Sequence, residues 1–203
     1  MNSNLREYFW EYFDYPMGFV DQKIMELVNE YFDKIPDYFY EVPASSTGKY
    51  HPSFDHGTGG LLRHTQMTCE IIKEFQRMDE YKHLNFFDIM VACILHDTFK
   101  NGYVDNHRTV SSHASIAADE FYNTYIYRKY TQEDLEDTLG NVTYNYAGEL
   151  DRRVMNICGM IRTHMGSWGA IKPTTDSEKL VHLADYVVSR TCWDKFNEAK
   201  YDN

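Results

Sequence analysis

The chain is short of basic residues. It has 20 Lys and Arg against 31 Asp and Glu, for a formal net charge of −11. That disfavours an extended surface for DNA or RNA, which needs many Lys and Arg contacts to phosphates. A local anion site built from a few cations and a metal is still open to it. Cysteine is sparse as well: Cys69, Cys93, Cys158 and Cys192 are far apart and form no CxxC pair. They are expected as buried, reduced thiols of a cytoplasmic protein. No apolar run reaches membrane-spanning length, and no membrane partner is expected. The opening residues lack the basic and apolar regions of a signal peptide, so the expected location is the cytoplasm. Repeats, low-complexity tracts and the alternating pattern of strands are also missing.

What is present is helical periodicity and a wealth of aromatic residues, 16% of the chain. Few basic residues are interleaved with them, so they read as packing and surface cover, not as a stacking platform for nucleic acid. Asn4 to Asp14 is predicted helical, and so is Val20 to Ile35, where Ile24, Leu27, Val28, Tyr31 and Phe32 recur at three and four residues. Pro36 ends that helix. A loop follows from Tyr38 to Asp55, and Gly57, Gly59 and Gly60 come just before a helix over Leu61–Met78. The expected inward stripe of that helix carries His64, Thr68, Ile71 and Phe75. A later helix sets His113, Ala117 and Phe121 on one face. Tyr122 to Tyr146 is polar and weakly periodic, and reads as an inserted surface element with a break at Gly140-Asn141. From Leu150 a further helix turns Val154, Ile157, Cys158, Ile161, His164 and Met165 inward. A last helix runs from Thr174-Thr175 to about Lys195, with Val181, Asp185, Val188 and Cys192 in one stripe. The fold class predicted is all-α in a single domain over 1–203. Residues 1–47 form a helical extension, 48–190 the core, and 191–203 the end of the last helix and a tail.

One stretch organises the rest: FFDIMVACILHDTFKNG, Phe86 to Gly102. Apolar residues cover every side of this helix, as in a buried one. Yet it ends in His96-Asp97, with Lys100 one turn further on. A buried imidazole and carboxylate are costly unless something pairs them, and a metal ion accepts both together. Taken singly, His64, His113, His164 and Asp185 each have an ordinary explanation as core residues. Taken together, they are four helices that each turn a metal-competent side chain inward beside the His-Asp pair.

The order His64, His96-Asp97, Asp185 resembles the HD superfamily of metal-dependent phosphohydrolases. GGLLRHT at Gly59–Thr65, ILHDTFK at Ile94–Lys100, SSHAS at Ser111–Ser115, IRTHMGSWG at Ile161–Gly169 and HLADYVVSR at His182–Arg190 sit in that family's order. They look like the branch that holds the HD part of YhaM-type 3′–5′ exoribonucleases and many small phage and archaeal HD proteins. The resemblance spans about Gly48 to Arg190. It implies an HD-domain helical globule with a central metal site. His64, His96, Asp97 and Asp185 would hold one ion. Asp97 would bridge to a second held by His113 and His164, and a binuclear site is expected over a mononuclear one. The implied cofactors are divalent transition metals: Mn, Fe, Ni or Zn.

Two features depart from the family pattern. Phe99 stands where HDxGK has glycine. The first forty residues look helical and acidic, unlike the nucleic-acid-binding module that precedes the HD part in those exoribonucleases.

The expected activity is hydrolysis of a phosphomonoester or phosphodiester by metal-activated water. The partner is a nucleotide or other small phosphorylated ligand, with the oligomeric state left open. Asp97 would orient the water or help take its proton, and Lys100 would steady phosphoryl charge. Lys49, His51, Arg63 and Arg162 are candidate substrate contacts. Two other readings use the same residues: a di-iron HD oxygenase, and a non-catalytic module that binds nucleotides.

Overall fold

Local signals set the helix boundaries. The computed structural model describes residues 7–131 and 142–198, and no strand occurs among them, so the described chain is all-α. Helix α1, Phe19–Phe32, starts where the Gly18 N–H donates to Asp21 Oδ2 at 3.0 Å, and it buries Ile24, Leu27, Val28, Tyr31 and Phe32. Helix α2 is Gly60–Gln76. Helix α3, Phe86–Leu95, is capped by the Asn85 side chain, which accepts from the Asp88 N–H at 3.2 Å. Helices α4, α5, α6 and α7 are His113–Thr131, Val142–Thr163, Asp176–Val188 and Cys192–Glu198. Thr175 and Glu178 form a reciprocal cap at the start of α6.

Helix α3 lies at the centre, packed against α2, α5 and α6, and every residue from Phe87 to Leu95 is buried. Its one charged member, Asp88, is met by Arg153 of α5, whose Nε and second NH group donate to Asp88 Oδ1 at 2.9 and 2.7 Å. The N-terminal residues join the same apolar core. Phe13 packs on Phe87 at 5.1 Å and Phe9 stacks on Phe32 at 6.0 Å between ring centres.

After Leu95 the chain leaves the helix in a series of turns through residue 105. This segment is braced from the N-terminal side. The Tyr31 hydroxyl bonds Thr98 Oγ1 at 2.5 Å; that of Tyr38 donates to the Gly102 carbonyl at 2.5 Å and accepts from the Asn101 N–H at 3.1 Å. Phe99 is buried, edge-on to Tyr31 and Tyr103. No described helix is long and apolar enough to cross a membrane.

Several expectations need correction. The last helix is two: it stops at Val188, where Ser189 turns its hydroxyl back to the Asp185 carbonyl, and Cys192 begins a separate short helix. Cys192 is therefore exposed, while Cys69, Cys93 and Cys158 are buried. The inward stripe of α2 is Leu61, His64, Thr65, Thr68, Cys69 and Ile72, with Ile71 and Phe75 only half-buried at its edge. Residues 122–131 continue α4, and 142–146 begin α5. The rest of the expected surface element, with the Gly140-Asn141 break, lies outside the described residues, as do residues 1–6 and the tail 199–203.

Candidate metal centre

Five segments bring their polar side chains to one buried place. His64 comes from α2, His96 and Asp97 from the turn after α3, His113 from the start of α4, His164 from just beyond α5, and Asp185 from α6. The four histidines and Asp97 are at most 1% exposed. His64 Nε2 lies 3.0 Å from Asp185 Oδ1, and His96 Nε2 lies 3.9 Å from the same oxygen and 3.6 Å from Asp97 Oδ2. Asp97 Oδ1 is 3.1 Å from His113 Nε2 and 3.4 Å from His164 Nε2, and those two nitrogens are 3.2 Å apart.

The tautomers follow from what each ring touches behind it. His96 Nδ1 faces the Cys93 carbonyl, His113 Nδ1 that of Val110, and His164 Nδ1 that of Ile161, each at 2.7 Å. A carbonyl only accepts, so the proton sits on Nδ1, and in the neutral ring Nε2 is left with a lone pair. All three lone pairs face the carboxylates and one another. His96 Nε2 and Asp97 Oδ1 accordingly have no hydrogen-bond partner among the described residues despite full burial. Acceptors crowded together in this way are unfavourable alone and are the donor set that a divalent transition metal requires. His64, His96 and Asp185 are spaced to hold one ion, as are His96, Asp97 and His164.

Charge reinforces the fit. Burial would push the Asp97 carboxyl up, but Lys100 and His96 outweigh it and hold the group well below the usual carboxylate range. Lys100 Nζ lies 2.5 Å from Asp97 Oδ2, and despite burial Asp97 keeps the ammonium charged above its ordinary range. Burial alone would lower the His64 pKa, yet Asp185 and Asp55, on either side of the ring, raise it to about 9. His96 has no such flanking pair, and desolvation takes it down to about 4. His64 and Lys100 thus carry positive charge among the carboxylates, and Asp97 and Asp185 draw the His164 pKa upward as well.

The candidate substrate residues fare differently. His51 stands beside the centre, its ring 5.2 Å from that of His64 and its Nδ1 3.1 Å from Asp55 Oδ2. Arg63 turns back onto the preceding loop, donating from Nε and both NH groups to the carbonyls of Phe54, Thr58 and His56. Arg162 pairs with Asp119, and Lys49 lies over the exposed Tyr50 ring.

Asp55 has no counterpart in the sequence reasoning. It is fully buried, ends a short 3-10 helix, Ser53–Asp55, and contacts both His51 and His64. The glycines of this loop serve the backbone. Gly59 has φ 73°, and a Cβ on Gly60 would sit 1.9 Å from the Asp55 carbonyl oxygen. A similar closeness explains Gly166, against whose Cα the His182 ring packs while its Nδ1 donates to the His164 carbonyl at 2.7 Å. No protein-family model, no curated protein and no solved structure matches the chain.

Proposed function

We propose that the chain is a metal-dependent phosphohydrolase of the HD type, acting on a nucleotide or another short phosphorylated ligand. The observation that carries this reading is the convergence of His64, His96, Asp97, His113, His164 and Asp185 with their acceptor atoms inward and Lys100 alongside. His64, His96, Asp97 and Asp185 would hold one divalent metal, and Asp97, His113 and His164 a second; when bound, such ions supply Lewis acidity and acidify coordinated water.

The chain's own residues account for the remainder. Asp97 would orient the attacking water by accepting a hydrogen bond from it; held well below the usual carboxylate range, the group assists loss of the proton without retaining it. Lys100 offers an ammonium to the phosphoryl oxygens as negative charge grows on them. Packing around α3 excludes bulk water, which strengthens each of these interactions. Only three polar side chains here reach solvent: Asp185 at 15%, His51 at 13% and Lys100 at 11% exposure. A substrate would meet the centre through these partly exposed side chains. A lysine beside the Asp97 carboxylate favours phosphate chemistry over oxidation of an uncharged substrate.

The test is hydrolysis by the purified full chain with added Mn2+, using p-nitrophenyl phosphate, its bis-ester and a panel of nucleotides. Asp97→Ala is expected to abolish turnover. Activity that survives this substitution, or none from the parent with any substrate or divalent ion, overturns the reading.

A further inference from the structure

The loop before α2 is built around a single buried carboxylate. The Ala44 N–H donates to the Asp55 carbonyl at 3.1 Å, and the Gly60 backbone fits against that carbonyl as only glycine can. Arg63 binds three carbonyls of residues 54–58 with all three faces of its guanidinium. So much local structure for one side chain calls for a reason, because an ionised carboxylate at 0% exposure is costly to hold.

Its contacts supply the reason. Asp55 Oδ2 lies 3.1 Å from His64 Nδ1, on the side of the ring away from Asp185, and 3.1 Å from His51 Nδ1. The other three histidines of the centre give their Nδ1 proton to the carbonyl three residues earlier. His64 cannot copy them. It lies within α2, where the Leu61 carbonyl already accepts from the Thr65 hydroxyl, and its own carbonyl accepts from Thr68. A carboxylate brought in from outside the helix takes the place of the missing carbonyl.

We propose that Asp55 is the positioning residue of the metal centre. It fixes His64 as the Nδ1–H form, aims Nε2 at the ion shared with His96 and Asp185, and strengthens that nitrogen as a donor through its negative charge. His51 is the second clamp on the same oxygen and prevents the carboxylate from rotating away. This inference rests on the metal centre proposed above.

The test measures metal uptake directly. Mn2+ and Zn2+ affinities are determined by calorimetry with a competing chelator for the parent, Asp55→Asn, Asp55→Ala and His51→Ala. Thermal melts of each metal-free protein are recorded in parallel. The Asp55 variants are expected to lose about 10–100-fold in affinity, and His51→Ala less. Tight binding by both Asp55 variants, with the parent binding normally, overturns the brace and leaves the metal centre standing. A parent that takes up neither ion overturns the centre and the brace together.

Nitrogen-15 NMR of the Zn2+-loaded parent requires no variant. The His64 ring should carry its proton on Nδ1, and a proton on Nε2 would refute the assignment even if Asp55 variants failed to fold.

Discussion

Lys100 Nζ lies 2.5 Å from Asp97 Oδ2, while Asp97 Oδ1, fully buried, has no hydrogen-bond partner among the described residues. One oxygen of the carboxylate is neutralised by Lys100; the other faces the Nε2 atoms of His113 and His164. Lys100→Met separates the two roles. Removing one partner of a buried pair costs about 3–5 kcal/mol, so the metal-free variant should melt earlier, and added Mn2+ should recover much of the loss. With metal content unchanged, kcat is expected to fall by about 10²-fold or more. Steady-state kinetics beside metal analysis checks both halves.

Metal should stabilise the fold. At a free concentration 100 times Kd, an ion bound only by the native state adds about 2.7 kcal/mol, a rise of roughly 5–10 °C in Tm for a chain of this length. Chelator should reverse the rise, and Asp185→Ala should blunt it. A scanning melt that does not respond to Mn2+, Zn2+ or Ni2+ would remove the centre from consideration.

Uptake should also depend on pH through His64. Its pKa in the metal-free fold is about 9, above the ordinary value of 6.5. The stabilisation this group gives the metal-free protein is therefore fully present below about pH 6.5 and lost as pH rises through about 9. A metal ion on Nε2 must displace that proton. Binding near pH 7 is expected to release about one proton from this ring, and affinity to climb about tenfold per pH unit until the curve flattens near 9. Calorimetry in buffers of different ionisation enthalpy counts the protons.

Phe99 is part of the core, buried against Tyr31 and Tyr103. Phe99→Ala should cost about 3–5 kcal/mol in urea unfolding. Phe99→Gly would cost more and loosen the turn that carries Asp97. A neutral effect would mean that the ring contributes little packing.

Much of this arrangement was legible in the chain because helical periodicity reports which residues face inward. His113 lies in register with Ala117 and Phe121, and His164 one turn on from Ile161, so each could be assigned to the interior from spacing alone. The α3 segment was legible because apolar residues on all sides permit no other place for it. Asp55 was not, since a loop residue has no period to betray its burial, and its carboxylate is held by backbone geometry from Ala44 and Gly60. Arg63 and Arg162 looked available for phosphate because charge in a sequence does not reveal its partner. The three carbonyls bound by Arg63 and the Asp119 bound by Arg162 exist only in the folded chain. The end of α6 was missed because Ser189, Arg190 and Thr191 contain neither glycine nor proline to announce a stop.

The hydroxyls of Tyr31 and Tyr38 have a practical consequence. They tie Thr98, Asn101 and Gly102 to residues that precede the first recognisable motif by more than ten positions. Anyone trimming the gene to the motif-bearing stretch would cut these ties and leave the His-Asp turn held only by its own local bonds, such as that from the Val110 N–H to the Lys100 carbonyl. An expression fragment that keeps the centre in register has to begin upstream of α1.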